Sequence, residues 1–355
     1  MTQGDPDERR SRADVLHISE AYGGGVQSAI SRYIEHSPEL DHRILVRMRT
    51  EHDIEERSSV AITGFNGSMP AFLLHARAVI LETQPRIVHL HSSFAGLLRT
   101  FRFGKTKIIY TPHAYAFLRG DQSAVARAAY LGVEWILSKR PQTIAAISPF
   151  EAASAARMAG GDTDIAYLPN VAAGHVAGPS PQPVATDYHQ DGTPEVVMVG
   201  RISAQKDPSF FAAMARAVRS EIRWRWVGDG DEDLKNELEE AGVEVTGWVP
   251  NDQVHKHIAR ADLYLHSAAW EGAPITLLES AALGTPVLAR GIDCLEGLGF
   301  PLTADSPAGA ARAVERFFSD GDFRRRASAA TRDSVKIHSP SVQANALESL
   351  YGRAG

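Results

Sequence analysis

Two glutamates and two cations in the second half of the chain are the residues whose types and spacing best suit chemistry. Glu271 and Glu279 lie in residues 267–286, S-A-A-W-E-G-A-P-I-T-L-L-E-S-A-A-L-G-T-P, directly after an apolar run ending at His266. Pro274 suits the first turn of a helix and Gly284 its exit, which places Glu271 in the loop before that helix and Glu279 about a turn and a half inside it. Gly272 and Ala273 leave backbone room for a ligand against the unpaired N–H groups of the helix's first turn, a natural seat for a diphosphate. A carboxylate farther along the helix can accept bonds from vicinal ribose hydroxyls. Two solvated glutamates on a surface helix would give the same Glu-x7-Glu spacing. The reading gains weight from Arg201 and Lys206, in G-R-I-S-A-Q-K-D-P, which close another strand. Two cations at the carboxyl end of a strand, beside a helix start, are suited to holding two phosphates.

The elements that must position these residues read as two α/β halves. Strands are expected at 13–19, 43–48, 86–90, 107–110, 143–147 and 165–168, with helices at 26–35, 71–82, 123–137 and 150–158 between them. Apolar strands alternating with helices imply a parallel sheet covered on both faces. Residues 172–194 are rich in Gly, Pro and small side chains without a period and read as a linker. The alternation then restarts, with strands at 195–199, 223–227, 243–246, 263–266 and 286–289. Helices are expected between them at 208–218, 232–241, 252–261 and 274–283, then at 306–318 and 341–351. The expected organisation is a polar tail at 1–12, a doubly wound Rossmann-like domain at 13–171, the linker, a second such domain at 195–338, and a closing segment at 339–355 that packs back on the first domain. In such sheets ligands bind beyond the carboxyl ends of the strands, in a cleft between the halves.

Composition narrows the function classes. A chain of 355 residues with 44% hydrophobic content can fill two cores, and a net charge of −6 argues against nucleic acid as partner. Cys294 is the single cysteine, which excludes an internal disulfide and fits a reducing, cytoplasmic compartment. No apolar run approaches the roughly 20 residues needed to span a bilayer.

Across nearly its whole length the chain resembles the retaining GT-B glycosyltransferases of the family-4 type. The resemblance rests on Gly23-Gly24-Gly25, T-P-H-A at 111–114, I-S-P-F-E at 147–151, L-P-N at 168–170 and G-R-I-S-A-Q-K at 200–206. It continues through V-G-D-G at 227–230, G-W-V-P at 247–250, and E-G-x6-E with G-T-P-V at 284–287. The resemblance implies two Rossmann-like domains facing a cleft, a nucleotide-diphosphate sugar as donor, and a saccharide or lipid-linked hydroxyl as acceptor. UDP is favoured over GDP on frequency alone. It further implies that Glu279 binds the donor ribose, that Glu271 faces the sugar hydroxyls, and that Arg201 and Lys206 neutralise the diphosphate. Gly24 and Gly25 would approach the same phosphates from the first half, His113 would stand beside the donor sugar, and Trp248 and Val249 would contact the base. Trp248 could equally be a packing residue. Family members retain anomeric configuration by front-face attack, so no nucleophilic side chain is assigned, and no cofactor or essential metal is expected.

Other signals carry blander alternatives. Asp229 and Asp231 form a D-x-D that could hold a cation, but its place in the V-G-D-G turn favours a structural role. His89 and His91 share one face of a strand; a metal would want a third ligand that the sequence does not place, so strand-end or cleft-lining histidines are expected. Residues 99–107, R-T-F-R-F-G-K-T-K, carry four cations that could touch anionic headgroups at the inner face of the membrane, or could simply be solvated. Two departures from the family pattern concern the sugar end: no Gly-Gly-x-x-Glu turn follows Val287, although Glu296 could be its counterpart, and Val171 stands after Asn170 in place of glycine. The competing classes are a catalytically inactive GT-B binding subunit, a phosphorylase of the same fold, for which no pyridoxal lysine is evident, and a nicotinamide-dependent oxidoreductase. The last would need a third glycine after Gly23-x-Gly25 and an acid ending the second strand, and the sequence has neither.

Overall fold

The computed structural model describes residues 13–20, 22–48, 60–172 and 192–352. The tail expected at 1–12 and nearly all of the linker expected at 172–194 lie outside the described residues.

The N-terminal half is a seven-stranded parallel sheet of β1 (Val15–Ser19), β2 (His42–Arg47), β3 (Ala61–Phe65), β4 (Ile87–His91), β5 (Lys107–Thr111), β6 (Gln142–Ala146) and β7 (Thr163–Tyr167), in the order 3-2-1-4-5-6-7. Its helices are α1 (Gly24–Glu35), α2 (Met69–Thr83), α3 (Ala124–Leu137) and α4 (Pro149–Met158). The C-terminal half repeats the scheme with β8 (Glu195–Val199), β9 (Arg223–Val227), β10 (Val243–Val245), β11 (Leu263–His266) and β12 (Val287–Ala289), ordered 10-9-8-11-12. It carries α5 (Pro208–Ala217), α6 (Glu232–Glu240), α7 (Asn251–Arg260), α8 (Ile275–Ala282), α9 (Pro307–Ser319) and α10 (Gly321–Ile337). Both sheets run outward from a central first strand and then reverse, leaving a crevice at the carboxyl ends of β1 and β4 and another at those of β8 and β11. The central strands β1, β4, β6 and β8 are buried along their whole length, as a sheet covered on both faces requires.

After α10 the chain returns to the first half. The last helix, α11 (Pro340–Tyr351), places Leu347, Leu350 and Tyr351 in one core with Val15, Ala29, Tyr33 and Ile87. The crossing is tied by Gln343, which donates to the Pro169 carbonyl at 2.7 Å, and by His338, whose two ring nitrogens lie 3.2 Å and 3.1 Å from the carbonyls of Asn170 and Leu298.

Two elements differ from the sequence expectation, and each for a physical reason. β3 is an edge strand whose side chains are mostly exposed, so its A-I-T-G-F segment carries no apolar run to announce it. α10 buries only Ala327, Thr331 and Ser334, small or polar side chains that leave no apolar stripe.

The basic stretch at 99–107 also needs correction. Arg99 is buried; its guanidinium pairs with Glu134 at 2.7 Å and lies 3.7 Å from the centroid of the Tyr110 ring. The Lys107 ammonium donates to the Leu350 carbonyl at 2.7 Å, binding α11 to the sheet. Of the four cations only Arg99 is therefore committed inside the protein; Lys107 is exposed but tied to α11, and Arg102 and Lys105 are exposed. Exposed apolar side chains lie instead on α3, at Val125, Leu131, Trp135 and Ile136. Among the described residues no helix is long and apolar enough to cross a membrane.

Candidate functional site

The β11–α8 loop carries a cluster of charged contacts within the C-terminal half. Glu271 is buried and forms an ion pair with Lys206; Gln205 Nε2 donates to its other oxygen at 3.3 Å, and His266 Nε2 lies 3.5 Å away. Burial alone would raise the Glu271 carboxyl, but the Lys206 ammonium, with help from His266, outweighs it and holds the group down at about 2. The Glu271 backbone N–H donates to Cys294 Sγ at 3.3 Å, and burial pushes that thiol up to about 12, which removes it as a nucleophile. α8 begins just beyond, at Ile275, with Pro274 as its cap and no side chain satisfying the first-turn N–H groups, the state in which a helix start attracts an anion. Glu279 is the fifth residue of α8, half-buried, with His255 of α7 3.6 Å from its carboxylate. Tyr264 of β11 feels the charge of both Glu271 and Glu279, so the two carboxylates flank one strand end, and its hydroxyl donates to Thr276 at 2.9 Å.

The opposite wall comes from the loop after β5. His113 and Ala114 both have left-handed backbones, φ 52° and 76°, an unusual pair for residues with side chains. Glu151 holds them: one carboxylate oxygen accepts from Ala114 N at 2.7 Å and the other from Ile147 N at 3.1 Å. Gly272 packs against this turn so closely that an added Cβ would lie 2.8 Å from Ala114 N and 3.0 Å from Ile147 Cδ1. The halves thus meet where Glu271 and His113 stand. Gly272→Ala is expected to pry this contact open and destabilise the protein by about 1–3 kcal/mol, as overpacking does, seen as a lower Tm; an unchanged Tm would mean the two walls are not in register there.

Glu151 supplies a pH test. Burial raises its carboxyl to about 7, only partly offset by the Ala114 and Ile147 N–H groups. A folded-state value above the unfolded one means stability is fullest below about 4.5 and is lost as pH rises through about 7. Relative to Glu151→Gln, which cannot ionise, the wild-type Tm is expected to fall between about pH 4.5 and 7 and to level off above that. A difference that stays flat, or grows in favour of wild type, refutes the assignment.

Behind His113 lies a face of buried imidazoles. Parallel pairing sets His17 opposite both Ile44 and His89, so His42, two residues before Ile44, and His91, two after His89, point to the same side of the sheet. His42 Nδ1 is 3.0 Å from His17 Nε2, His17 Nδ1 is 3.0 Å from His91 Nε2, and His91 Nδ1 is 3.0 Å from His113 Nε2. His89 lies alongside, its nitrogens 2.8 Å from Tyr351 Oη and 2.8 Å from Thr111 Oγ1. His91 is a strand-end histidine but is buried, not cleft-lining. His17 is the third imidazole near His89 and His91 that the sequence did not place, one nitrogen from each of the three lying within 4.8 Å of the others. All six of their ring nitrogens already have hydrogen-bond partners.

The remaining expected residues fall around this seam. Arg201 is exposed, its guanidinium 6.0 Å from the centroid of Trp248, which is itself 65% exposed and is therefore not a packing residue. Val249 packs against the C-terminal core, and Ala273 is buried in it, its carbonyl accepting from Asn170 Nδ2 at 2.9 Å. Gly24 and Gly25 open α1, and a Cβ on either would meet nothing within 4 Å, so open space lies over this loop. Asp229 pairs with Lys235 at 3.4 Å, and Asp231 caps α6 by accepting from Asp233 N and Leu234 N, which explains the D-x-D as turn architecture. Gly228 and Gly230 of that turn lie against the Gly200 and Ile202 carbonyls, where a Cβ would come within 2.2 Å and 2.1 Å. This backbone contact fixes the loop that carries Arg201. A cavity of about 340 Å³ between the halves is lined by Gly120 and Asp121 on one side and Ala204, Asp207, Ala269 and Trp270 on the other. Glu151, His17, His42, His255 and Cys294 were not singled out from sequence as parts of this site.

Two parallel-sheet α/β lobes of this strand order, meeting at the carboxyl ends of their strands, define the GT-B fold of glycosyltransferases. Two family models match consecutively, Glycosyltransferase Family 4 over residues 23–172 and Glycosyl transferases group 1 over 193–320. An uncharacterised 41.2 kDa protein in the cps region of Klebsiella pneumoniae is 25% identical over 295 residues, which cover 79% of this chain and 82% of that one. Among solved structures, sucrose-phosphate synthase from Thermosynechococcus elongatus superposes with a TM-score of 0.81 at 17% identity, covering 96% of this chain and 98% of that one. HepE of Anabaena, in complex with UDP-glucose, gives 0.74 at 15% identity, covering 96% and 98%. The chain belongs to the group 1, family-4 glycosyltransferases.

Proposed function

We propose that the protein transfers a sugar from a nucleotide-diphosphate donor, UDP in preference to GDP, to a hydroxyl acceptor in polysaccharide or glycolipid synthesis, with retention of anomeric configuration and without an essential metal. The observation that carries this reading is the buried Lys206–Glu271 pair at the uncapped start of α8, pressed against His113 and Ala114 by Gly272. In this reading the donor diphosphate takes Lys206 from its ion pair and is held also by Arg201 and by the amides of Gly272, Ala273, Ile275 and Thr276, which stabilise the leaving group as the sugar bond breaks. Glu271, released from Lys206, accepts from sugar hydroxyls. Glu279 accepts from the ribose hydroxyls, Trp248 and Val249 border the base, and Gly24 and Gly25 leave room for the phosphates from the facing lobe. His113 hydrogen-bonds a hydroxyl of the donor sugar. The bound UDP-glucose of HepE and the cps region of the Klebsiella relative support the donor and the setting.

A thermal-shift panel of UDP, GDP, ADP and their sugars tests the donor. Because ligand binding to the native state alone raises stability, UDP or UDP-sugars are expected to raise Tm most, and chelator is expected to leave both the shift and sugar transfer intact. No shift with any nucleotide, or transfer lost on chelation and restored by a divalent ion, overturns the reading.

A further inference from the structure

We propose that His42, His17 and His91 form a one-way hydrogen-bonded chain, anchored on the Ser37 carbonyl, that holds His113 as its Nε2–H tautomer and so presents His113 Nδ1 as a bare acceptor where the two lobes meet. His42, His17 and His91 are positioning residues; only His113 would touch a ligand. That the ligand group is a donor-sugar hydroxyl rests on the proposed function, whereas the tautomer itself does not.

The direction follows from one atom. His42 Nε2 lies 3.1 Å from the Ser37 carbonyl, which can only accept, so Nε2 carries the proton. Ser37 Oγ, 3.0 Å from the same nitrogen, already donates to the Tyr33 carbonyl at 2.6 Å and is left to accept as well. A neutral imidazole has one donor and one acceptor. His42 Nδ1 must therefore accept, and His17 Nε2 donates to it. His17 Nδ1 then accepts from His91 Nε2, and His91 Nδ1 accepts from His113 Nε2. His113 is left with a lone pair on Nδ1, which has no partner among the described residues. The argument needs neutral rings, and burial first of all lowers His17, His42, His91 and His113, the last to about 3. Asp41, Asp14 and Glu39 act on His42 in the opposite direction without reversing this. His89 does not break the chain, since its partners are hydroxyls that can serve either way, and the Tyr33 ring covers His89 and His91 with centroids 5.8 Å and 6.1 Å away. A hydroxyl donating to His113 Nδ1 would meet an acceptor fixed through four rings, with no rearrangement at the moment of binding.

Long-range proton–nitrogen NMR on the full chain with 15N-labelled histidine reads the tautomers directly. His17, His42, His91 and His113 are all expected to show protonated Nε2 and bare Nδ1 in the free wild-type protein. A proton on His113 Nδ1, or charged rings at neutral pH, overturns the proposal. So does a nitrogen pattern at His17, His89 and His91 that changes on chelation and returns with zinc, because a metal would need the lone pairs the chain uses. In His17→Phe, His91 loses its acceptor; His113 is expected to populate both tautomers, and kcat for sugar release to fall about tenfold while KM for the donor changes little. A single Nε2–H tautomer at His113 in that variant also overturns it. Should His17→Phe not fold, the wild-type spectrum decides alone. The expected spectrum in a protein that turns over no nucleotide sugar would leave the chain standing and remove the proposed function instead.

Discussion

Lys206→Met is expected to lower turnover by on the order of 100-fold or more, measured as nucleoside diphosphate released from the nucleotide sugar selected by thermal shift. The ammonium pairs with the glutamate that stands just before α8, and among the described residues no other lysine or arginine pairs with Glu271. The same change carries a stability cost that separates it from a purely catalytic lesion. Glu271 is 7% exposed, and without Lys206 it keeps only the Gln205 amide and the Cys294 contact at its backbone, with His266 nearby. An unpaired buried carboxylate costs about 3–5 kcal/mol, so Tm should drop and the Glu271 carboxyl should rise from its depressed value. Lys206→Met combined with Glu271→Gln removes the stranded charge and is expected to recover most of the stability but none of the turnover. Arg201→Ala should show the converse, a turnover loss of similar order with Tm unchanged, because Arg201 is exposed and its guanidinium forms no ion pair among the described residues, lying over the Trp248 face. Full activity in Lys206→Met would mean that the diphosphate is held elsewhere.

How much of this was legible in the sequence follows from what kind of information each feature needs. The places of Arg201, Lys206 and Glu271 were readable because each follows its own apolar strand in the next loop, and that of Glu279 because Pro274 and Gly284 bound its helix. V-G-D-G and G-R-I-S were readable as separate motifs, but not their contact, since the glycines are demanded by backbone atoms some thirty residues away. The imidazole chain could not be seen at all. His17, His42, His91 and His113 come from four different elements, and only the pairing of β1 with β2 and β4 decides that their rings share a face. A shift of one residue in either pairing would have sent some of them to the other side. Glu151 entered the sequence reading only as the end of I-S-P-F-E, and locally it is the N3 residue of α4, which Ser148 caps. Its carboxylate nevertheless reaches Ala114 and Ile147, because the left-handed turn at His113 and Ala114 leaves an N–H group in need of an acceptor. The polar helix α10 and the exposed strand β3 escaped for the opposite reason: local sequence carries little sign of an element that buries few apolar groups.

Glu279→Ala is expected to weaken the binding of nucleoside diphosphate about 10- to 100-fold, the loss of hydrogen bonds to a charged acceptor, read as Kd by calorimetry. The position makes the effect specific to the nucleotide end. Glu279 lies a full turn into α8, whereas Glu271 precedes the helix, so a ligand with its diphosphate at the helix start extends its ribose past one and its sugar past the other. UDP and a UDP-sugar should therefore lose affinity equally in Glu279→Ala. Glu271→Gln should spare UDP and penalise the sugar nucleotide, because Lys206 stays in place for the phosphates. Glu279→Gln keeps one oxygen acceptor and should fall between wild type and Ala. His255, 3.6 Å from the Glu279 carboxylate, gives an internal check. If Glu279 only served to hold α7 against α8, His255→Ala would weaken UDP binding as much as Glu279→Ala does, and Glu279→Ala would lower Tm in the absence of nucleotide. Retention of the wild-type Kd for UDP in Glu279→Ala would remove the ribose contact from the site and leave Glu279 as a partner of α7 alone.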